Sequence, residues 1–126
     1  TARSPLKFLI VDDNAAVRRL IAEIVLPLAD EIRECSDGAD ALSVYNAKRP
    51  DLVLMDIRMK HVDGIEATKR IKVADPSAKI IIVTDYDDEA LRQKAMRVGA
   101  CGYALKDNLL DLVLVLERIT ANQQGG

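Results

Sequence analysis

Five polar residues follow directly on short apolar runs. Asp12 and Asp13 come after Leu6–Val11, Asp56 ends Asp51-Leu-Val-Leu-Met-Asp56, Thr84 ends Lys79-Ile-Ile-Ile-Val-Thr84, and Lys106 stands just past Cys101–Leu105. Gathered at one edge of a fold, they would make three carboxylates, a hydroxyl and an ammonium. Crowded hard oxygen anions suit a hexacoordinate Mg²⁺, or Mn²⁺ in its place, which keeps several waters and draws in phosphate. A carboxylate can attack phosphorus as a covalent nucleophile. A lysine and a hydroxyl can hold the transferred oxygens, because phosphoryl transfer is mostly positioning and charge neutralisation. Asp56 is the coherent nucleophile of this set. Any one aspartate after a strand is ordinarily a turn or cap residue, so only the set points to chemistry.

Rival phosphate and hydrolase sites are missing from the sequence. No GxGxxG follows the first apolar run, there is no GxxxxGK[ST], and Asp56-Ile-Arg58 lacks the second aspartate of a DxD signature. There is no G-x-S-x-G elbow, and the one histidine, His61, reads as a solvated loop residue. Cys35 and Cys101 stand apart, outside any CxxC or Cys/His spacing, and are expected as two reduced, buried thiols.

The elements that must position these residues follow from periodicity. Leu6–Val11 is a nearly continuous apolar run, suited to a strand buried on both faces. Asn14 can cap a helix whose apolar face is Val17, Leu20, Ile21, Ile24, Val25 and Leu28, ending near Pro27. The beat repeats: strand Glu31–Cys35 and helix Ala39–Ala47, strand Asp51–Asp56 and helix Ile65–Ala74, strand Lys79–Thr84 and helix Glu89–Val98 closed by Gly99. A fifth strand, Cys101–Leu105, precedes a helix capped by Asn108 and running through Thr120. Strict alternation forces parallel strands with right-handed crossovers, so the expected fold is α/β, a doubly wound five-stranded parallel sheet with five helices on its two faces. Such sheets bind ligands beyond the carboxyl ends of their strands, where the polar set stands.

Composition sets the bounds. At 126 residues, 49% hydrophobic and 30% charged, the chain can build one sizeable core. With no Trp, three Tyr and one Phe that core is aliphatic and base-stacking platforms are unexpected. A net charge of −2 gives no electrostatic footprint for nucleic acid or an anionic membrane. No run approaches the roughly 18 apolar residues of a membrane span, and Thr1–Pro5 lacks the apolar stretch of a secretory signal, so a cytoplasmic location is the expectation.

Four segments, Ile10-Val-Asp-Asp-Asn14, Leu54-Met-Asp-Ile-Arg-Met59 with Asp63-Gly64, Ile82-Val-Thr84 and Gly102-Tyr-Ala-Leu-Lys-Asp107, together resemble the receiver domain of bacterial two-component response regulators. The chain is similar to CheY-like receivers, and nearest to those of LuxR/FixJ (NarL)-type transcriptional regulators. The resemblance implies a flavodoxin-like sheet in the order 2-1-3-4-5 and a switch rather than a turnover enzyme. It implies that Asp56 accepts a phosphoryl group from the phosphohistidine of a sensor histidine kinase. Asp13, Asp56 and the Arg58 backbone carbonyl would hold Mg²⁺, Asp12 through water. Lys106 would pair with the phosphoryl oxygens and Thr84 would move to bond them. Tyr103 would swing inward as Thr84 leaves, changing the surface of the fourth helix, fifth strand and fifth helix. Other readings of the same fold are an unphosphorylated interaction module, a stand-alone signalling switch, and a metal-dependent phosphatase or flavin-type protein.

Three departures from the family pattern stand out. Lys60-His61 replaces the usual Pro-Gly, which predicts a looser, more basic loop beside Asp56. Asp85 follows Thr84 where a small residue is usual, bringing a fourth carboxylate close to the phosphate. Arg58 and Tyr86 fill the two positions that flank the acyl phosphate, and their bulk predicts slow autodephosphorylation. On the last helix Leu109, Leu112, Val113, Leu116 and Ile119 form a core stripe, while Leu110, Leu114 and Val115 widen it into a candidate strip for a partner or a second copy of the chain. The surface of the fourth helix, fifth strand and fifth helix is the other candidate for self-association. The domain is expected to span 1–126, with its core over 6–121. The first residue is not Met, and 122–126, with Gln123-Gln-Gly-Gly126, reads as a tail or the start of a linker to a DNA-binding domain.

Overall fold

A computed structural model describes residues 6–125, and side chains through Ala121. Thr1–Pro5 and Gly126 lie outside the described residues. The elements run β1 Leu6–Val11, α1 Ala15–Val25, β2 Ala29–Cys35, α2 Gly38–Lys48, β3 Leu52–Met55, α3 Gly64–Ala74, β4 Ile80–Thr84, α4 Glu89–Arg97, β5 Gly102–Leu105 and α5 Leu109–Gly125. All strand pairs are parallel, in the order β2-β1-β3-β4-β5, so the doubly wound sheet expected above is the fold.

Side-chain alternation divides the core into two layers. Leu9, Val11, Val53, Met55, Ile80 and Ile82 face Tyr45, Ile65 and Ile71 of α2 and α3. Phe8, Ile10, Leu52, Leu54, Ile81 and Val83 face Ile21 and Val25 of α1 and Leu112 and Leu116 of α5. Every residue of β3 and β4 is buried, which is why these strands read as unbroken apolar runs.

Caps fix where helices begin. The Asn14 side chain accepts from the Ala16 and Val17 N–H groups, as expected, and Asp37, Asp63 and Asp88 do the same work for α2, α3 and α4. Asn108 behaves differently from its expected capping role: its side-chain amide donates to Asp111 Oδ1 at 3.4 Å, and its carbonyl accepts the Asp111 N–H. Gly99, at φ +110, closes α4 in a conformation that only glycine adopts freely.

Four boundaries or placements depart from the sequence reading. A 3-10 turn over Leu26–Leu28, with Pro27 at its start, ends α1 and lets β2 begin at Ala29 rather than Glu31. The last helix continues past Thr120 to Gly125, because no Pro interrupts it, so up to Gly125 the presumed tail is helical. Cys35 is buried but Cys101 is exposed, since it sits in the turn ahead of the edge strand β5. Val115 packs into the α5-side core against Gly102, whereas Leu110 and Leu114 are 64% and 50% exposed.

Candidate functional site

In this order β1 has a neighbour on each side, β2 and β3, and the crossovers leave it in opposite directions. A crevice therefore opens beyond the carboxyl ends of β1 and β3. The ladder continues one step past the strands: the Asp56 N–H donates to the Val11 carbonyl at 2.9 Å, the Asp12 N–H to that of Cys35 at 3.1 Å, and the Lys106 N–H to that of Thr84 at 2.8 Å. Backbone pairing thus delivers Asp12, Asp56, Thr84 and Lys106 to one edge. Asp12, Asp56 and Thr84 are buried, while Asp13 is exposed. The crevice, about 460 Å³, is walled by Asp13, Asp56, Arg58, Asp85, Tyr86 and Lys106 among others.

Carboxylate oxygens of Asp12, Asp13 and Asp56 lie within 4.8 Å of one another. Lys106 Nζ stands 2.7 Å from Asp12 Oδ2 and 3.2 Å from Asp56 Oδ1. Asp12 Oδ1 accepts the Asn14 N–H, and Asp56 Oδ1 accepts that of Ile57. Asp12 Oδ2 is buried, with the Lys106 ammonium as its neighbour at 2.7 Å. Burial and the repelling Asp12 push the Asp56 carboxyl up to about 6, against the pull of Lys106 and the Ile57 N–H. Burial would drag the Lys106 ammonium down, but Asp12 and Asp56 outweigh it and hold it above its ordinary value. Three converging carboxylates, two of them buried, fit a divalent cation of the Mg²⁺ type.

Beside the carboxylates, Thr84 Oγ1 accepts the Tyr86 N–H at 3.3 Å, and the Tyr103 hydroxyl donates to the Tyr86 carbonyl at 2.6 Å. The Tyr86 ring stacks on Arg58, whose guanidinium carbon is 4.7 Å from the ring centroid. Thr84 and Tyr103 are therefore joined through the main chain of one residue, Tyr86, and Arg58 and Tyr86 line the crevice together. Asp85 is exposed and lines the same crevice.

The loop from Asp56 to Gly64 is tighter than its Lys60-His61 pair predicts. Its base is closed by the Gly64 N–H donating to the Ile57 carbonyl at 2.7 Å. Gly64 is obligatory, because a Cβ there would lie 1.8 Å from the Asp56 carbonyl oxygen. Its tip is held by Asp37, whose carboxylate accepts the N–H groups of His61 at 2.8 Å and Val62 at 3.0 Å. The His61 side chain is 68% exposed, as its reading as a solvated residue requires. Two residues near the site escaped the sequence reading. The sequence marks Asp37 only through Asp37-Gly38 as the opening of the second helix, and Arg18, which donates to the Asp12 carbonyl and pairs with Glu34 at 2.9 Å, only as a polar position on the first helix.

Comparison with known proteins agrees with this geometry. The model of the response regulator receiver domain matches residues 8–117. A chemotaxis protein CheY of Halobacterium salinarum is 42% identical over 98 residues, 78% of this chain and 82% of that protein. The transcriptional regulatory protein LnrK of Bacillus subtilis is 38% identical over 86% of this chain, which spans only 50% of LnrK. The crystal structure of a LuxR-family two-component response regulator from Aurantimonas sp. superposes with a TM-score of 0.86 at 32% identity, covering 94% of this chain and 87% of that one. With the acidic trio, the lysine and the strand order all in place, the chain belongs to the response regulator receiver domain family.

Proposed function

We propose that the chain is a phosphoryl-accepting switch in which Asp56 takes a phosphoryl group from the phosphohistidine of a sensor histidine kinase. The observation that carries this reading is the meeting of Asp12, Asp13 and Asp56 within 4.8 Å, with Lys106 bridging two of them, at the sheet's switch point. An Asp56 carboxylate oxygen attacks phosphorus, an O–P bond forms as the N–P bond breaks, and the imidazole leaves with the electron pair and takes up a proton. Lys106 stands ready to neutralise the incoming oxygens. Asp13, Asp56 and the Arg58 carbonyl would hold Mg²⁺ or Mn²⁺, with Asp12 bound through water, and the cation would supply charge neutralisation for the phosphoryl oxygens. Thr84 turns from the Tyr86 N–H to the phosphoryl group, and Tyr103, tied to the same residue, carries the change to the α4-β5-α5 surface.

Arg58 and Tyr86 crowd the approach of the water that would hydrolyse the acyl phosphate, so the phosphorylated state is long-lived. The chain spans half of LnrK, and its output is read as control of transcription through a DNA-binding domain. The receiver itself, at net charge −2, leaves nucleic acid to that partner. Among the described residues no helix is long and apolar enough to cross a membrane, and the switch is assigned to the cytoplasm, where it meets its kinase. A second copy docks through α4-β5-α5 or through α5, where Leu110 and Leu114 are exposed.

Incubation with acetyl phosphate and Mg²⁺ tests the reading by intact mass. A gain of one phosphoryl group, lost in Asp56→Asn, is expected. No adduct would mark an interaction module, and steady multiple turnover a phosphatase.

A further inference from the structure

The loop that carries Arg58 beside Asp56 is held at two points. Its base is closed within the loop by the Gly64-to-Ile57 hydrogen bond. Its tip is held from another part of the molecule, the turn between β2 and α2. Asp37 Oδ2 accepts the His61 N–H, and Asp37 Oδ1 accepts both the Val62 N–H and the Ala39 N–H that begins α2. The next residue, Gly38, lies so close that a Cβ would stand 2.4 Å from the Val62 carbonyl oxygen. Asp37 is itself 7% exposed, so water competes little for these bonds. Burial alone would raise its carboxyl, but the three N–H donors outweigh burial and bring it down to about 2. It is thus an acceptor at any neutral pH.

We propose that Asp37 is a positioning residue of the Asp56 site: by bonding the main chain of His61 and Val62 it fixes the segment bearing the Arg58 carbonyl, and so sets cation affinity. This inference rests on the phosphoryl-accepting reading, in which that carbonyl is a cation ligand. Asp37 touches neither cation nor phosphate. It acts as the outer groups around metal ligands commonly do, by holding a ligand-bearing segment in place. It also accounts for a Lys60-His61 pair standing where Pro-Gly would stiffen the loop, since the stiffness comes from outside.

The test uses the full chain with Mn²⁺ as probe, free Mn²⁺ being counted by electron paramagnetic resonance, and amide hydrogen exchange followed across residues 58–62. Asp37→Asn keeps one acceptor oxygen for the α2 cap but replaces the other with a donor. It is expected to weaken Mn²⁺ binding roughly tenfold and to speed exchange in the loop, with exchange in β3 and β4 unchanged. Asp37→Ser, which also retains a capping oxygen, serves where the first variant folds poorly. Asp75→Asn, at the far edge of the sheet, is the control and should leave Mn²⁺ affinity alone. The idea is overturned by an Asp37→Asn affinity within about twofold of the parent, or by an equal loss in the Asp75 control. A parent chain that binds no Mn²⁺ overturns the functional reading itself, a result distinct from either.

Discussion

Two aspartates at opposite ends of the sheet show what the same side chain becomes in different company. Asp75, at the end where α2 and α3 finish and β3 and β4 begin, accepts from the Tyr45 hydroxyl at 2.7 Å and the Ser77 hydroxyl at 2.7 Å, and pairs with Arg49 at 2.9 Å. The hydrogen bonds from Tyr45 and Ser77 hold its carboxyl down to about 2. Asp56, at the other end, is buried beside another carboxylate and is pushed up to about 6. One end satisfies its charge with neighbours that hold the fold together. The other leaves charge poorly satisfied, and in the proposed function that deficit is what would recruit a cation and, with it, a phosphoryl group.

The contrast can be broken by exchanging its terms. The largest effect is expected from Asp56→Asn: phosphoryl uptake disappears from the mass spectrum, while stability to urea in the presence of chelator rises by on the order of 1 kcal/mol as like-charge repulsion is relieved. A loss of stability would show that the site end is not strained by its charges. Next is Gly64→Ala, whose new Cβ meets the Asp56 carbonyl and should cost more than about 3 kcal/mol, read by urea melting. Tyr86→Ala or Arg58→Ala should shorten the half-life of the phosphorylated state, followed by loss of the mass adduct after the donor is removed; a parent half-life of seconds with Mg²⁺ present would sink the crowding argument. Tyr45→Phe, at the quiet end, should cost about 1 kcal/mol and leave phosphoryl uptake unchanged.

The smallest effect is one of pH. Asp75 and Asp37 have carboxyls lowered from 3.8 to about 2 in the fold. Their contribution to stability is complete above 3.8 and is lost as pH falls towards about 2, since the unfolded chain takes up protons first. Urea midpoints measured across that window should fall, and fall less steeply in Asp75→Asn. A parallel slope in that variant would remove Asp75 from the account.

Much of this was legible in the chain because it is written locally. The alternation of apolar runs and helical stripes, the Asn14 cap and the Gly99 stop depend on neighbours a few residues away, and so does the placing of Asp12, Asp56, Thr84 and Lys106 at strand ends. What escaped depends on contacts across the fold. The grip of Asp37 on His61 and Val62 joins turns of two separate β-α units, and nothing in an Asp-Gly pair announces it. Cys101 looked apolar enough to bury, yet an edge strand leaves its approach turn in water. Val115 and Leu114 are adjacent and similarly apolar, and the turn of the helix puts Val115 against the core and Gly102 while leaving Leu114 half exposed.

Tyr86 takes part through both its main chain and its side chain. Its N–H and carbonyl connect Thr84 to Tyr103, while its ring lies against Arg58. In the proposed switch, transmission would run through main chain that every amino acid except proline supplies, and duration would be set by a side chain that can be exchanged. In the language of circuits, the proposed switch keeps memory and wiring as separate components. There, exchanges at positions 58 and 86 would lengthen or shorten how long a signal is remembered without changing what the signal says.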